Sequence, residues 1–477
     1  MIPYKKTFLF ALLVFGLQAC KKDLQDTNRN PNEAETAQPD YLLANAVKTA
    51  GDTYYSTGTT MDASLLFVQH WSKIQYTDAD RYIFTNGSFE GGWRSFYTQS
   101  LADLNVLARL GDEQKNPNYK AAALTLRSWV FLLLTDAYGN IPYTEALDIS
   151  KLTPKYDDQR TVYLGLLAEL KTALATYNAA GPAIQGDPVF GGNLGRWSRF
   201  ANALRLRIAL RIADREPELA RQAVAEVLAH PAGLPASETE TARLPYFSSP
   251  NQNPVARIFE TRDDYRISKT IVDRLKALND PRLPVFANKT ATATPEVYVG
   301  IPNGLTTGDA ANLGFAKTSK PGDLFTKANA PAIILSWSES LFDRAEAAAR
   351  GFSTENAASL YQQAITASLQ YYGADAAAIS TYLAQPAVQY DPGNFRKSIG
   401  EQKWLSLFGQ GLEAYAEWRR LDYPQLAPAV AGVLDGKIPL RFIYPGTEQA
   451  LNKTSYTDAV RRQGSDALTT RLWFDIK

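Results

Sequence analysis

Cysteine occurs once in the 477 residues and histidine twice, at His70 and His230. A lone thiol excludes intrachain disulfides and multi-cysteine zinc or iron–sulfur sites, and two imidazoles leave little for metal chemistry. No metal or cofactor is expected. Neither sign of charge is in excess: 50 Lys+Arg face 49 Asp+Glu, a net charge of +1. With no basic field to hold a polyanion, nucleic acid is not an expected partner. A Gly-x-Ser-x-Gly elbow is missing, so Ser-His-Asp chemistry would have no exposed nucleophile, and catalysis has no candidate residues. Aromatic residues, by contrast, are plentiful. Eight Trp, 25 Tyr and 21 Phe accompany a mean hydropathy of -0.26, so many rings must meet water or a partner.

The N-terminus carries a targeting pattern. Lys5 and Lys6 precede an apolar run from Phe8 to Leu17, followed by Leu17-Gln18-Ala19-Cys20. The run is half the roughly 20 residues of a membrane-spanning helix, which makes it a lipoprotein signal peptide over residues 1–19. The only cysteine of the chain stands at the cleavage point, so Cys20 is expected to be acylated and to anchor the protein to a membrane through lipid. Cleavage removes two lysines and no acid, leaving a mature chain with one net negative charge. Charge cannot provide that attachment, whereas several acyl chains on one cysteine can.

Residues 20–40 are polar and contain Asn30-Pro31-Asn32, as a tether would. Residues 41–477 are expected to form a single domain. Helical spacing marks Tyr119 to Tyr138, stopped by Gly139, and then Thr161 to Tyr177, Phe200 to Ala213 and Ser268 to Leu278. A further helix begins at Pro217 and ends near His230, which is read as a partner of the helix dipole. Ile333 to Arg350 and Glu355 to Tyr372, with Gly351 between them and small Ala345, Ala348, Ala357 and Ala364, form a tetratricopeptide-like pair. Between Leu234 and Pro331 the chain is rich in Pro, Gly, Thr and Asn. The expected fold class is therefore mainly α: an irregular helical scaffold with tetratricopeptide-like helix pairs and a loop-rich insertion.

Several segments in order resemble one family. They are Asp136 to Tyr143 (DAYGNIPY), Trp197 to Arg207 (WSRFANALRLR), Asp280 to Pro284 (DPRLP), Ala345-Glu346-Ala347 ending at Arg350-Gly351, Gln402-Lys403-Trp404, Glu417 to Pro424 (EWRRLDYP) and Arg441 to Pro445. Together they resemble the SusD/RagB-type nutrient-binding outer-membrane lipoproteins, in the SusD-like group 2 branch. The resemblance implies surface display on the outer membrane and capping of a SusC-like TonB-dependent transporter. It implies no enzyme and does not name the ligand: an oligosaccharide is expected first, with a peptide as the other choice. A helical-repeat adaptor and a glycan hydrolase are the rival classes.

Two sets of residues are candidates for ligand binding. Trp71, Tyr76 and Tyr82 lie among Ser72, Lys73, Gln75, Thr77, Asp78, Asp80 and Arg81 without a sustained helical period. Flat rings between polar groups suit a sugar or peptide, although packing of a long loop would use the same residues. Asn251, Asn253, Arg262, Asp264, Tyr265 and Tyr298 form a second strip in the loop-rich insertion. Trp93, Phe96, Tyr97 and Leu101 keep helical spacing and belong to a core. Glu339, Asp343 and Glu346 stack on one helix face, read as exposed and paired with Arg344 or Arg350. Arg205, Arg207, Arg211 and Arg215 are read as scaffold ion pairs. Asp78 and Asp80 lack the Gly-containing loop of a calcium site.

Overall fold

The computed structural model of the chain describes residues 37–476 apart from 293, 294 and 296. The signal segment, Cys20 and nearly all of the tether lie outside the described residues. The first helix, α1 (Pro39–Tyr54), starts on the proline that ends the polar stretch, since proline needs no amide partner at that position. Next come α2 (Ala102–Glu113), α3 (Pro117–Tyr138), α4 (Gln159–Thr176), α5 (Leu194–Arg211), α6 (Pro217–Ala229) and α7 (Lys269–Ala277). The chain continues through α8 (Trp337–Ala349), α9 (Ala357–Tyr371), α10 (Phe395–Ser406), α11 (Gly411–Leu421) and α12 (Lys453–Gln463).

Helix α3 lies at the centre. Asn116 caps it by accepting from the Asn118 amide at 3.1 Å, and Gly139 (φ +91°) ends it. Leu126, Trp129, Val130, Phe131, Leu132, Leu133 and Leu134 are all buried, so this helix is covered on every side by α2, α4 and α11. Each such side chain contributes about 1.5–3 kcal/mol of burial. Helices α8 and α9 make the tetratricopeptide-like pair, turning at Gly351 (φ +70°) and touching through Phe342 and Tyr361 at 6.3 Å. One buried apolar cluster runs from Leu43 to Phe474.

Among the described residues, three two-stranded ribbons complete the fold: β1 (Trp71–Lys73) with β5 (Tyr265–Ile267), β2 (Ile141–Pro142) with β3 (Tyr156–Asp157), and β4 (Ala242–Leu244) with β6 (Ala332–Leu335), all antiparallel. The β6 strand corrects the helix expected from Ile333. Ala332, Ile333 and Leu335 pair with β4, with a register shift at Ile334, and Ser336 then caps α8 by accepting from the Glu339 amide at 3.1 Å. Among the described residues no helix is long and apolar enough to cross a membrane.

The carboxylates of α8 also differ from expectation. Glu339, Asp343 and Glu346 are buried, not exposed, and face α5, α10 and α11. Glu339 pairs with Arg207, Asp343 with Lys403 at 2.5 Å, and Glu346 with Arg420 and Arg350. Arg344 turns instead to Glu355. The scaffold reading holds for Arg205, Arg207 and Arg211, since Arg211 reaches Asp136, Glu413 and Glu417 and Arg205 reaches Glu226. It is corrected for Arg215, which lies past the end of α5 and, among the described residues, donates to the Trp473 carbonyl instead of meeting a carboxylate. His230 stands just past α6, where its Nδ1 accepts from the Ala232 amide at 3.2 Å. Burial, followed by Arg205, lowers its proton affinity, and the ring accepts from an amide beyond the helix instead of donating to the last α6 carbonyls, which corrects its reading as a dipole partner.

Candidate ligand-binding face

The β1–β5 ribbon positions the first group of candidate rings. Trp71 pairs with Ile267 and Lys73 with Tyr265, and the Ile74 amide donates to the Asp264 carbonyl at 2.9 Å. All three β1 side chains are buried, because structure covers the ribbon on both faces. Trp71, 1% exposed, meets Phe259 edge-on at 5.9 Å and lies tilted on Tyr265. It is a core ring, which corrects its reading as a loop ring open to ligand. Tyr82 is corrected in the same way: 1% exposed, it packs edge-on against Phe67 at 5.9 Å.

Of the polar neighbours that suggested an open loop, Ser72, Lys73, Thr77 and Asp80 are themselves buried. Lys73 pairs with Asp62 at 2.7 Å and Asp264 at 2.8 Å, and sits 4.5 Å from the centre of the Tyr265 ring. Asp80 accepts from Ser72 Oγ at 2.8 Å, Asn303 Nδ2 at 2.8 Å, and the amides of Gly304 at 2.9 Å and Lys73 at 3.2 Å. Burial raises its proton affinity, against the pull of these donors. Asn303 donates in addition to the Trp71 carbonyl at 2.7 Å. A polar lattice under the loop thus fixes the backbone on both sides of residue 76.

Tyr76 is the ring that this lattice presents. It stands at φ +53°, a left-handed conformation that few non-glycine residues hold, and is 63% exposed. Buried Thr77 shares a hydroxyl hydrogen bond of 3.2 Å with Thr307, tying the turn to the helix that follows Thr306. Strained and exposed residues that the surroundings hold in place concentrate at functional sites. Asp78, two residues further on, is exposed and offers a carboxylate that could accept from a hydroxyl.

A second loop adjoins this turn. Arg81 Nε donates to the Ala431 carbonyl at 3.0 Å, and the Val433 amide donates to the Arg81 carbonyl at 3.1 Å. Ile83, Val430 and Val433 are exposed beside these bonds, at 40%, 68% and 50%. Phe315, also exposed, is held by Arg266, which donates to its carbonyl and sits 5.2 Å from its ring. Sequence reasoning missed these apolar residues, which lie in segments far apart in the chain with no period that marks them.

The second strip divides. Arg262 lies at the same end of the ribbon as Tyr76, two residues before Asp264, and is about a third exposed. Its guanidinium forks Asp264 at 3.0 and 2.6 Å. Burial alone would raise Asp264, but Arg262 and Lys73 outweigh it and lower its proton affinity. Asn253 is a buried helix cap, accepting from the Val255 amide at 2.7 Å and donating to the Ala330 carbonyl at 2.8 Å. It lines, with Trp71, an internal cavity of about 30 Å³, too small for a sugar ring. Tyr298 is half-buried against the core, between outward-facing Val297 and Val299. Asn253 is therefore corrected to a structural role, and Tyr298 turns mainly inward.

A family model described as "Starch-binding associating with outer membrane", SusD-like group 2, matches residues 31–445. The chain belongs to the SusD-like family. Among solved structures it is similar to a chitin-binding protein, at 27% identity and a TM-score of 0.83 over 92% of this chain and all of that one. It is also similar to a SusD homologue from Bacteroides uniformis, at 26% identity and a TM-score of 0.80 over 92% and 100%. A chitin-binding SusD homologue from Flavobacterium johnsoniae shares the fold at 22% identity, with a TM-score of 0.83 over 92% and 99%. No curated protein matches the sequence.

Among the described residues no group of three or more His, Cys, Asp or Glu could hold a metal ion. Burial raises Asp136 to about 6 and drives Glu339 up as well, but both carboxylates are enclosed among arginines where no ligand reaches them.

Proposed function

We infer that this SusD-like protein binds a nutrient oligosaccharide at the face built around Tyr76 and delivers it to a SusC-like TonB-dependent transporter, while anchored through Cys20 on the exterior of the outer membrane. The carrying observation is the exposed left-handed Tyr76 on a loop fixed by Asp80 and Asn303. A ring held this way offers a flat stacking surface at little entropic cost, and exposed Asp78 on the same loop could accept from hydroxyls. Two similar structures carry chitin binding in their names, which favours a glycan over a peptide. The family description supports the membrane location. A binding role, without catalysis, fits a face whose two perturbed carboxylates are already engaged, Asp80 by Ser72, Asn303, Gly304 and Lys73 and Asp264 by Arg262 and Lys73.

Calorimetric titration with chitotetraose, maltotetraose and a tetra-alanine peptide tests the ligand class, with Tyr76→Ala as the control. Binding of a glycan that weakens in this variant supports the assignment; no glycan binding, or binding of the peptide alone, overturns it. Purification from the native locus in mild detergent should recover a transporter with the protein, and Cys20→Ala should release the protein from outer-membrane vesicles lacking that transporter. Retention of the variant there would refute the lipid anchor.

A further inference from the structure

Away from the Tyr76 face, a groove of about 460 Å³ opens where the C-terminal segment crosses the start of α4. The amides at its base are committed to backbone and side-chain partners. Gln159 donates from Nε2 to the Thr135 carbonyl at 2.7 Å, and its own amide donates to Asn140 Oδ1 at 3.1 Å. Gln463 Nε2 donates to the Tyr138 carbonyl at 2.9 Å. The rim is cationic. Four arginines, Arg160, Arg215, Arg462 and Arg471, line the groove against two aspartates, and all four are exposed.

Most of this charge is partly compensated. Arg160 meets Glu216, Arg462 meets Asp458 at 2.8 Å, and Arg471 meets Asp475 at 2.6 Å. Asp158 caps α4 by accepting from the Thr161 amide at 2.7 Å. Arg215 differs: its Nε donates to the Trp473 carbonyl, and among the described residues no carboxylate lies within ion-pair distance of it. The Nη face of that guanidinium is open to a carboxylate or sulfate. The half-buried Trp473 indole lines the same groove and supplies an apolar surface.

We propose that this groove is a second ligand subsite, which takes an anionic sugar unit, its carboxylate or sulfate on Arg215 and its ring against Trp473. Guanidinium forks recognise planar and tetrahedral oxyanions by paired hydrogen bonds, and a sugar acid presents both the charge and an apolar ring face. A chain this close to neutral has no general field to attract anions, so recognition would depend on this local arrangement.

The test titrates the full mature protein with trigalacturonate, a heparin-derived tetrasaccharide, chitotetraose and hexaglutamate. One or both anionic glycans should bind, with trigalacturonate reporting carboxylate and the heparin fragment reporting sulfate. Arg215→Gln should weaken that binding about tenfold, Arg471→Gln less, and added salt should weaken it in the parent. The proposal fails if neither anionic glycan binds, if Arg215→Gln binds as the parent does, or if hexaglutamate binds as tightly, which would indicate an acidic peptide instead.

Discussion

Arg207 grips Glu339 with two parallel hydrogen bonds, Nε to Oε1 at 2.6 Å and Nη2 to Oε2 at 2.8 Å, and neither side chain is more than 1% exposed. The pair joins α5 to α8 and is one link of a larger network. Arg207 also approaches Glu413 at 3.5 Å, Arg211 reaches Glu413 at 2.7 Å, and Lys403 bridges Asp343 and Glu417 at 2.5 and 2.7 Å. Charges withdrawn from water cost several kcal/mol each, so their geometry is what makes the network tolerable. The WSRFANALRLR and EWRRLDYP segments thus contribute arginines and glutamates to a shared interior junction, not to a ligand site.

Removing one member of this pair should leave a buried charge unpaired. Arg207→Met is expected to destabilise the protein by about 3–5 kcal/mol, whereas Arg207→Met combined with Glu339→Leu should recover much of the loss. Urea unfolding of the single and double variants measures both. A single variant that unfolds at the parent's midpoint would mean that the pair is not held as described.

His70 makes stability depend on pH. Burial holds its proton affinity down at about 3, and its Nε2 lies 3.1 Å from the Trp404 carbonyl, so the ring is neutral and donates there. An unfolded histidine titrates near 6.5. Its neutral burial therefore leaves stability intact above about 6.5 and removes it progressively as pH falls from there toward 3. The slope for one proton is about 1.4 kcal/mol per pH unit. Between pH 6 and 4, the stability difference between the parent and His70→Phe should shift by that slope in favour of the variant. A difference that stays constant with pH would show that the imidazole is protonated inside the fold.

Much of the scaffold was legible because helical period and capping residues agree along the chain. The expected Thr161–Tyr177 helix is observed as Gln159–Thr176, and Tyr119–Tyr138 as Pro117–Tyr138. The start of α5 was placed six residues late because Asn193 is its cap and Leu194-Gly195-Arg196 shows no apolar stripe. The site was less legible for a different reason. Ser72, Lys73 and Asp80 were read as signs of water, yet each is buried with its polar group paired, so the rings between them are buried too. A polar residue in a loop can mark a hidden lattice as well as a surface, and local sequence does not separate the two.

Trp71, Tyr76 and Tyr82 provide the decisive comparison, since similar local sequence places them in opposite environments. Trp71→Ala and Tyr82→Ala remove fully buried rings and should each cost about 3–5 kcal/mol. Tyr76→Ala removes an exposed ring and should change stability by less than about 0.5 kcal/mol. Its effect should fall on binding: losing one stacking ring, worth about 0.5–1.5 kcal/mol, weakens a bound glycan by roughly twofold to twelvefold. Asp80→Ala should affect both readouts, because the four bonds to Asp80 hold the core ribbon and the Tyr76 turn together. Thermal melts paired with calorimetric titration of each variant separate the cases. If Trp71→Ala melts like the parent while glycan binding disappears, Trp71 is a ligand contact and the face assigned to Tyr76 is wrong.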